Sequence, residues 1–281
     1  MEFYKKTIHG HDIQVVDYPG KKGPIIMIHG LTGSHKYMHY YAEKLKGEYR
    51  ILSVDLRGRG NSAKIGSEST IFQHAEDILE LIRTLKLEHP ILLGHSMGAF
   101  ISSIVASKLN SVKAVILLDG AAQMSEHQRA IVQPALGRLS KKYPTKESYF
   151  KEIQQIYSIL GVTWNETLQD AVDYEVERVS DHWENKSSDL GILADFESFQ
   201  TYVPKEVCSK ISCPVLLVYA KGEIGSLPPL FYKKDYEDTM AYTKNIQMEI
   251  SDCNHYTMVF ENREDINSHI EKFLGRLEKG E

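Results

Sequence analysis

What most limits the fold of this chain is a series of short, almost uninterrupted apolar runs, each ending in a turn signal. They are GPIIMIHG (23–30), YRILSVDLRGRG (49–60), HPILLGHS (89–96), VKAVILLDG (112–120), CPVLLVYAKG (213–222) and IQMEISDCNH (246–255). A half-exposed strand would alternate apolar and polar residues. Continuous runs of four to six β-rich residues read instead as strands covered on both faces, as in a parallel sheet. Amphipathic stretches lie between them. STIFQHAEDILELIRTLKL (69–87) offers Ser69 as an N-cap, with Phe72, Ile78, Leu79, Ile82 and Leu85 at helical spacing. REDINSHIEKFLGRLEKG (263–280) is a second such helix near the end of the chain. Alternation of this kind predicts an α/β fold built on a doubly wound, mostly parallel sheet.

One interval breaks the rhythm. Residues 121–212 offer no convincing strand, while helix-like pieces recur in EHQRAIVQPALGRLSKKY, KESYFKEIQQIYSIL and WNETLQDAVDYEVERV. The expected organisation is therefore a core in two parts, 1–120 and 213–281, with a helical cap or lid at 121–212. Such an insertion between two late strands would cover the C-terminal edge of the sheet, where open α/β sheets bind ligands.

Bulk properties narrow the function. The 281 residues suffice for a sizeable core, and a net charge of −5 with both signs interspersed argues against a nucleic-acid or anionic-membrane surface. No apolar stretch approaches a membrane span, and the first residues lack the apolar core of a secretory signal. Cys208, Cys213 and Cys253 are odd in number and lack C-x-x-C spacing, which fits reduced thiols in a cytoplasm better than a disulfide framework. The partner expected is a small molecule, with the chain a monomer or homodimer.

The chemistry starts at ILLGHSMGAF (91–100). G-x-S-x-G alone is weak evidence, since it arises by chance in about one chain of this size in ten. Its context is more specific. Ser96 follows an apolar strand and precedes a helix-like run, and glycines at 94 and 98 permit a sharp turn with the serine held in a strained conformation. That is the setting of a nucleophile elbow, in which Met97 also offers its backbone N–H. A serine hydroxyl needs a general base. Of twelve histidines, His255 directly follows the last apolar run and so lies at the same sheet edge as Ser96. A second N–H donor for a developing oxyanion is expected after the first core strand, in MIHGLTGS (27–34), where Leu31 is the natural choice. His29 reads as a structural hydrogen-bonding residue.

Four elements together carry a resemblance: His29-Gly30 followed by Leu31, DLRGRGNS (55–62), GHSMG (94–98) and the late Asn254-His255. In this order they resemble the α/β-hydrolase superfamily, in its serine-nucleophile, lid-containing esterase- or lactonase-like branch. The resemblance covers nearly the whole chain outside the inserted segment. It implies the fold, a Ser-His-acid triad and no cofactor, but no particular substrate. Serine at the elbow sets the chain apart from dehalogenases and epoxide hydrolases, which carry aspartate there.

The acid has two candidates. Most members place it after the strand that follows the insertion, usually as G-x-x-D, but VYAKGEIGSLPP (218–229) holds no aspartate and only Glu223 is in reach. A subset draws it from the strand before the insertion, where Asp119 stands in ILLDGAAQ (116–123). Asp119 is favoured, with Glu223 the alternative; Asp252 is too close to His255 along the chain. Other features read more plainly. His35 and His39 have i, i+4 spacing but no evident third metal ligand. HGH (9–11) reads as a turn between two N-terminal strands. Cys253 reads as a small buried residue, and the aromatic residues of the insertion mostly as packing.

The activity expected from these residues is hydrolysis of a small carboxylic ester, lactone or thioester through an acyl-enzyme on Ser96. Amide and C–C bond hydrolysis use the same parts. The alternatives are a receptor without turnover, and cofactor-free lyase or perhydrolase chemistry in the same pocket.

Overall fold

The computed structural model describes residues 1–280 and shows one eight-stranded sheet with helices on both faces. Its strands are β1 (Glu2–Ile8), β2 (His11–Tyr18), β3 (Gly20–Ile28), β4 (Gly47–Val54), β5 (Ile91–His95), β6 (Ala114–Leu118), β9 (Val215–Ala220) and β10 (Ile246–Ser251). A separate hairpin contributes β7 (Val176–Val179) and β8 (His182–Asn185). The sheet order is β1-β2-β4-β3-β5-β6-β9-β10. From β4 onward every pairing is parallel, and the antiparallel β1–β2 hairpin turns at His9-Gly10.

The uninterrupted apolar runs of the inner strands are explained by burial on two sides, whereas IQMEIS alternates apolar and polar residues and forms the partly exposed edge strand β10. In β3, Ile26 and Ile28 enter one cluster while Ile25 and Met27 enter the other. The first cluster is closed by α2 (Ile71–Thr84) and α3 (Met97–Lys108); the second by α1 (His39–Leu45) and α11 (Glu264–Lys279). Both helix signals are carried by an apolar stripe: Ile71, Ile78 and Ile82 face inward on α2, and Ile266, Ile270 and Phe273 on α11. One boundary differs from the sequence reading. The N-cap of α2 is Thr70, whose side chain accepts from the Gln73 N–H, while Ser69 turns its hydroxyl into a buried network described below.

The segment between β6 and β9 contains α4 (Glu126–Leu136), α5 (Lys146–Ile159), α6 (Glu166–Glu175), α7 (Asp189–Ser198) and α8 (Pro204–Cys208). The remaining helices, α9 (Glu237–Tyr242) and α10 (Thr257–Phe260), follow β9 and β10. The expectation of no strand in this interval is corrected by the β7–β8 hairpin. The helical pattern runs on through VERV, but Val176 and Val179 are β-branched; α6 stops at Glu175, and the chain turns back between β7 and β8 through Ser180 at φ 54°. Among the described residues no helix is long and apolar enough to cross a membrane.

Candidate active site

Three strand ends meet at the C-terminal edge of the sheet. Ser96 follows β5 and begins α3 with φ 53° and ψ −118°, a conformation that a residue with a side chain rarely holds. Its neighbours make that turn feasible. A Cβ on Gly98 would stand 2.0 Å from the Ile28 carbonyl oxygen, and one on Gly94 would stand 2.1 Å from that of Gly98. Only glycine lets these backbones approach, and the Ser96 N–H is tied to the Leu118 carbonyl at 2.9 Å.

His255 lies on the turn after β10 and is almost fully buried. Its Nε2 stands 3.0 Å from Ser96 Oγ and its Nδ1 2.7 Å from Asp119 Oδ2. A carboxylate oxygen accepts, so Nδ1 carries the proton and Nε2 presents its lone pair to the serine hydroxyl. Asp119, at the tip of β6, is fully buried, and its second oxygen accepts from the Ala220 N–H at 3.1 Å and the Tyr236 hydroxyl at 2.9 Å. Of the two candidate acids, Glu223 is the one the structure separates from the imidazole. Its backbone carbonyl accepts from Asn254 Nδ2 at 3.1 Å, while Asp119 occupies the imidazole Nδ1. Glu223 is exposed on the loop after β9, and that loop is fastened to the histidine turn through its backbone carbonyl.

Asn254 holds that turn. Its Oδ1 accepts the N–H groups of Tyr256 and Thr257, and its Nδ2 reaches the carbonyls of Leu160 and Glu223. One side chain thus joins the histidine turn to the loop after β9 and to the inserted segment.

The loop after β3 supplies donors. His29 Nδ1 is 2.7 Å from the Gly30 carbonyl oxygen, and its Nε2 accepts the Leu56 N–H at 3.0 Å. Burial holds the His29 ring neutral, its pKa down to about 3, despite the nearby Asp55 carboxylate. The Gly30 carbonyl also accepts from Gly33 N–H. In a trans peptide the C=O and N–H point oppositely, so fixing the Gly30 oxygen turns the Leu31 N–H the other way. Neither that N–H nor the Met97 N–H, the first of α3, has an acceptor among the described residues. Arg59 steadies the same loop from behind, donating from Nε to the Leu31 carbonyl at 2.9 Å.

His95 was not singled out in the sequence beyond being the variable residue of G-x-S-x-G. Its Nε2 lies 3.0 Å from the His255 carbonyl oxygen, which can only accept, so Nε2 is protonated. Burial keeps this ring neutral, well below the ordinary histidine range, with the neighbouring His255 adding to the effect. It fastens the histidine turn to the serine turn. DLRGRGNS is likewise structural: Asp55 accepts from the His35 backbone and Nδ1, the Asn61 N–H and the Tyr174 hydroxyl. Burial would raise the Asp55 carboxyl, but the His35 hydrogen bonds outweigh it and hold it low. His35 is therefore engaged with Asp55, and His39 packs edge-on against Tyr40.

The serine opens into a cavity of about 910 Å³, its mouth included. Core residues Gly30, Leu31, Tyr37 and His255 form one wall, and Met124, Leu136 and Ile156 of the inserted segment form another. The insertion is anchored beside it by Asp195 of α7, which is fully buried. Asp195 accepts from Arg59 Nη1 at 2.6 Å, from His74 Nε2 at 2.9 Å and from the Ser69 hydroxyl. The carboxyl would be raised by burial, but His74 and Arg59 together hold it well below the usual carboxylate range.

A serine aligned with an imidazole, a carboxylate behind it and two free N–H groups nearby can perform acyl transfer. Comparison with known proteins agrees on the family. Residues 23–261 match the family model described as alpha/beta hydrolase fold, and the chain belongs to that family. It is 29% identical over 157 residues to 2-(acetamidomethylene)succinate hydrolase of Mesorhizobium japonicum, covering 55% of this chain and 54% of that protein. It is 27% identical over 156 residues to (E)-2-((N-methylformamido)methylene)succinate hydrolase of Acinetobacter baylyi, covering 53% and 59%. The chain thus spans little more than half the length of these curated relatives. In three dimensions it superposes on E-2-(acetamidomethylene)succinate hydrolase with a TM-score of 0.85 at 19% identity, over 98% of this chain and 100% of that one, a likeness of fold.

Proposed function

We propose that this chain is a serine hydrolase that cleaves an acyl bond of a small molecule, in the first place a carboxylic ester. One observation carries the reading: His255 stands between Ser96 Oγ, 3.0 Å from Nε2, and Asp119 Oδ2, 2.7 Å from Nδ1. Ser96 attacks the acyl carbon while His255 takes its proton, and Asp119 stabilises the imidazolium. The charge that develops on the carbonyl oxygen is met by the N–H groups of Leu31 and Met97. His255 then protonates the leaving group and later activates the water that releases the acid.

A second reading, cleavage of a C–N acyl bond, is favoured by the names of the two relatives, whose substrates carry an acetamido or an N-methylformamido group. The same catalytic parts serve both. The discriminating experiment compares p-nitrophenyl butyrate with its anilide for the purified protein and for Ser96→Ala. Turnover of the ester that vanishes in the variant supports the first reading; faster release from the anilide favours the second. Equal blank rates from wild type and variant on both substrates would overturn hydrolysis at Ser96 and bring a ligand-binding role forward.

A further inference from the structure

Among the residues lining the cavity, Arg138 alone carries a permanent charge. It lies in the single turn Gly137–Ser140 that follows α4. Nη2 donates to Thr32 Oγ1 at 3.4 Å, while Nη1 is shut off from solvent and has no partner. The guanidinium makes no ion pair among the described residues. Arg138 as a residue is half-buried, but its Nη1 is a charged donor shut off from water with no acceptor, which is unfavourable and would be relieved by an arriving anion.

The nearest acidic group does not fill that place. Glu175 is buried, with one oxygen 3.4 Å from the Tyr37 hydroxyl and the other without a partner. Burial pushes its carboxyl up to about 8, with Arg138 pulling the other way, so near neutral pH it offers Arg138 only part of a countercharge. Behind the arginine, the Tyr37 and Tyr157 hydroxyls satisfy each other at 2.8 Å. The Thr32 hydroxyl receives the arginine's hydrogen bond, and its own proton remains free to donate.

We propose that Arg138, with Thr32, receives a carboxylate of the substrate, so that the cavity selects small acyl compounds bearing a free carboxylate. This rests on the acyl-transfer reading of Ser96 and names the substrate class for it. The planar fork of a guanidinium matches the two oxygens of a carboxylate, and Thr32 directly follows Leu31. Leu31 at the carbonyl and Thr32 at the carboxylate are thus neighbours in one loop, with Arg138 reaching Thr32 from the turn after α4. This suits a short acid with only a few bonds between the two groups. Much of the remaining wall (Val132, Leu136, Ile156, Leu160) is apolar, and no other lining residue carries a fixed positive charge for that group.

The test uses two esters of similar length, p-nitrophenyl hydrogen succinate and p-nitrophenyl butyrate, on wild type, Arg138→Gln and Arg138→Lys. The wild type should prefer the succinate. In Arg138→Gln the ratio of kcat/KM, succinate over butyrate, should fall by about 10- to 100-fold, the range of a charged hydrogen bond, chiefly through KM. Arg138→Lys, which keeps the charge without the fork, should fall between and stands in if the Gln variant fails to fold. A ratio unchanged by both substitutions, or no preference in the wild type, overturns the anchor. Binding of monomethyl succinate against methyl butyrate to Ser96→Ala, by calorimetry, separates the two claims. If neither ester turns over but the monoanion still binds better and loses that advantage with Arg138→Gln, the anchor stands and the serine chemistry falls.

Discussion

Asp119 Oδ2 stands 2.7 Å from His255 Nδ1 although the two residues are 136 positions apart. Two other donors hold the second carboxylate oxygen, so the carboxylate cannot swing away from the ring. Asp119→Asn should leave the fold intact and lower turnover by about 10⁴, as the same change does in the serine-protease triad, by favouring the wrong tautomer. Glu223→Gln should lose little, because only its backbone carbonyl meets the histidine turn. Initial rates on p-nitrophenyl butyrate decide it; an Asp119→Asn variant that stays about as active as wild type would remove Asp119 from the orienting role.

The sheet and the meeting of Ser96, Asp119 and His255 are legible in the sequence because each of the three ends an apolar run. Strand ends of a parallel sheet share one edge, so the topology brings them together. The choice between Asp119 and Glu223 is not legible, because it turns on which way a loop after β9 folds. The β7–β8 hairpin hides for a different reason. VERV follows a helical pattern without a glycine or proline to break it, and its pairing partner HWEN is too polar to read as a strand. His95 and Arg138 are missed because nothing local marks them; their roles depend on residues 160 and 106 positions away.

His29 orients the Gly30–Leu31 peptide without lining the site's chemistry itself. His29→Phe keeps the bulk but removes the donor to the Gly30 carbonyl and leaves the Leu56 N–H without an acceptor. Stability should fall by about 1–3 kcal/mol, the cost of a buried polar group without a partner. Misdirection of the Leu31 N–H should lower kcat toward the loss of about 10²–10³ seen for a missing oxyanion donor, with KM little changed. Thermal melts and steady-state kinetics check both. A kcat equal to wild type would show that the peptide is held elsewhere.

Asp195 links the inserted α7 to Arg59, and Arg59 in turn holds the Leu31 carbonyl. Asp195→Ala leaves a buried guanidinium without its anion and should cost about 3–5 kcal/mol. The pH dependence has a definite sign. With its folded-state carboxyl held below the ordinary 3.8, Asp195 contributes stability above that value and loses it on further acidification. Urea unfolding at pH 7 and pH 3 should therefore show a smaller gap between wild type and variant at the lower pH. A constant gap would place the loss in packing alone.

Glu175 works in the opposite direction. Its carboxyl is raised from 4.5 to about 8 by burial, so between those values the folded protein keeps a proton that the unfolded chain has released. Stability must then decline as pH rises through that interval, because the unfolded state binds fewer protons there. Glu175→Gln keeps the shape and cannot ionise. It should flatten the decline, leaving the variant at least as stable as wild type near pH 8 and closest to it near pH 5. The Tyr37 hydroxyl keeps an acceptor in the amide oxygen, so the wall of the cavity is preserved. Unfolding midpoints in urea from pH 5 to pH 8 decide the matter. If wild type and variant decline in parallel, Glu175 is ionised in the folded protein at neutral pH, and Arg138 then has a countercharge of its own.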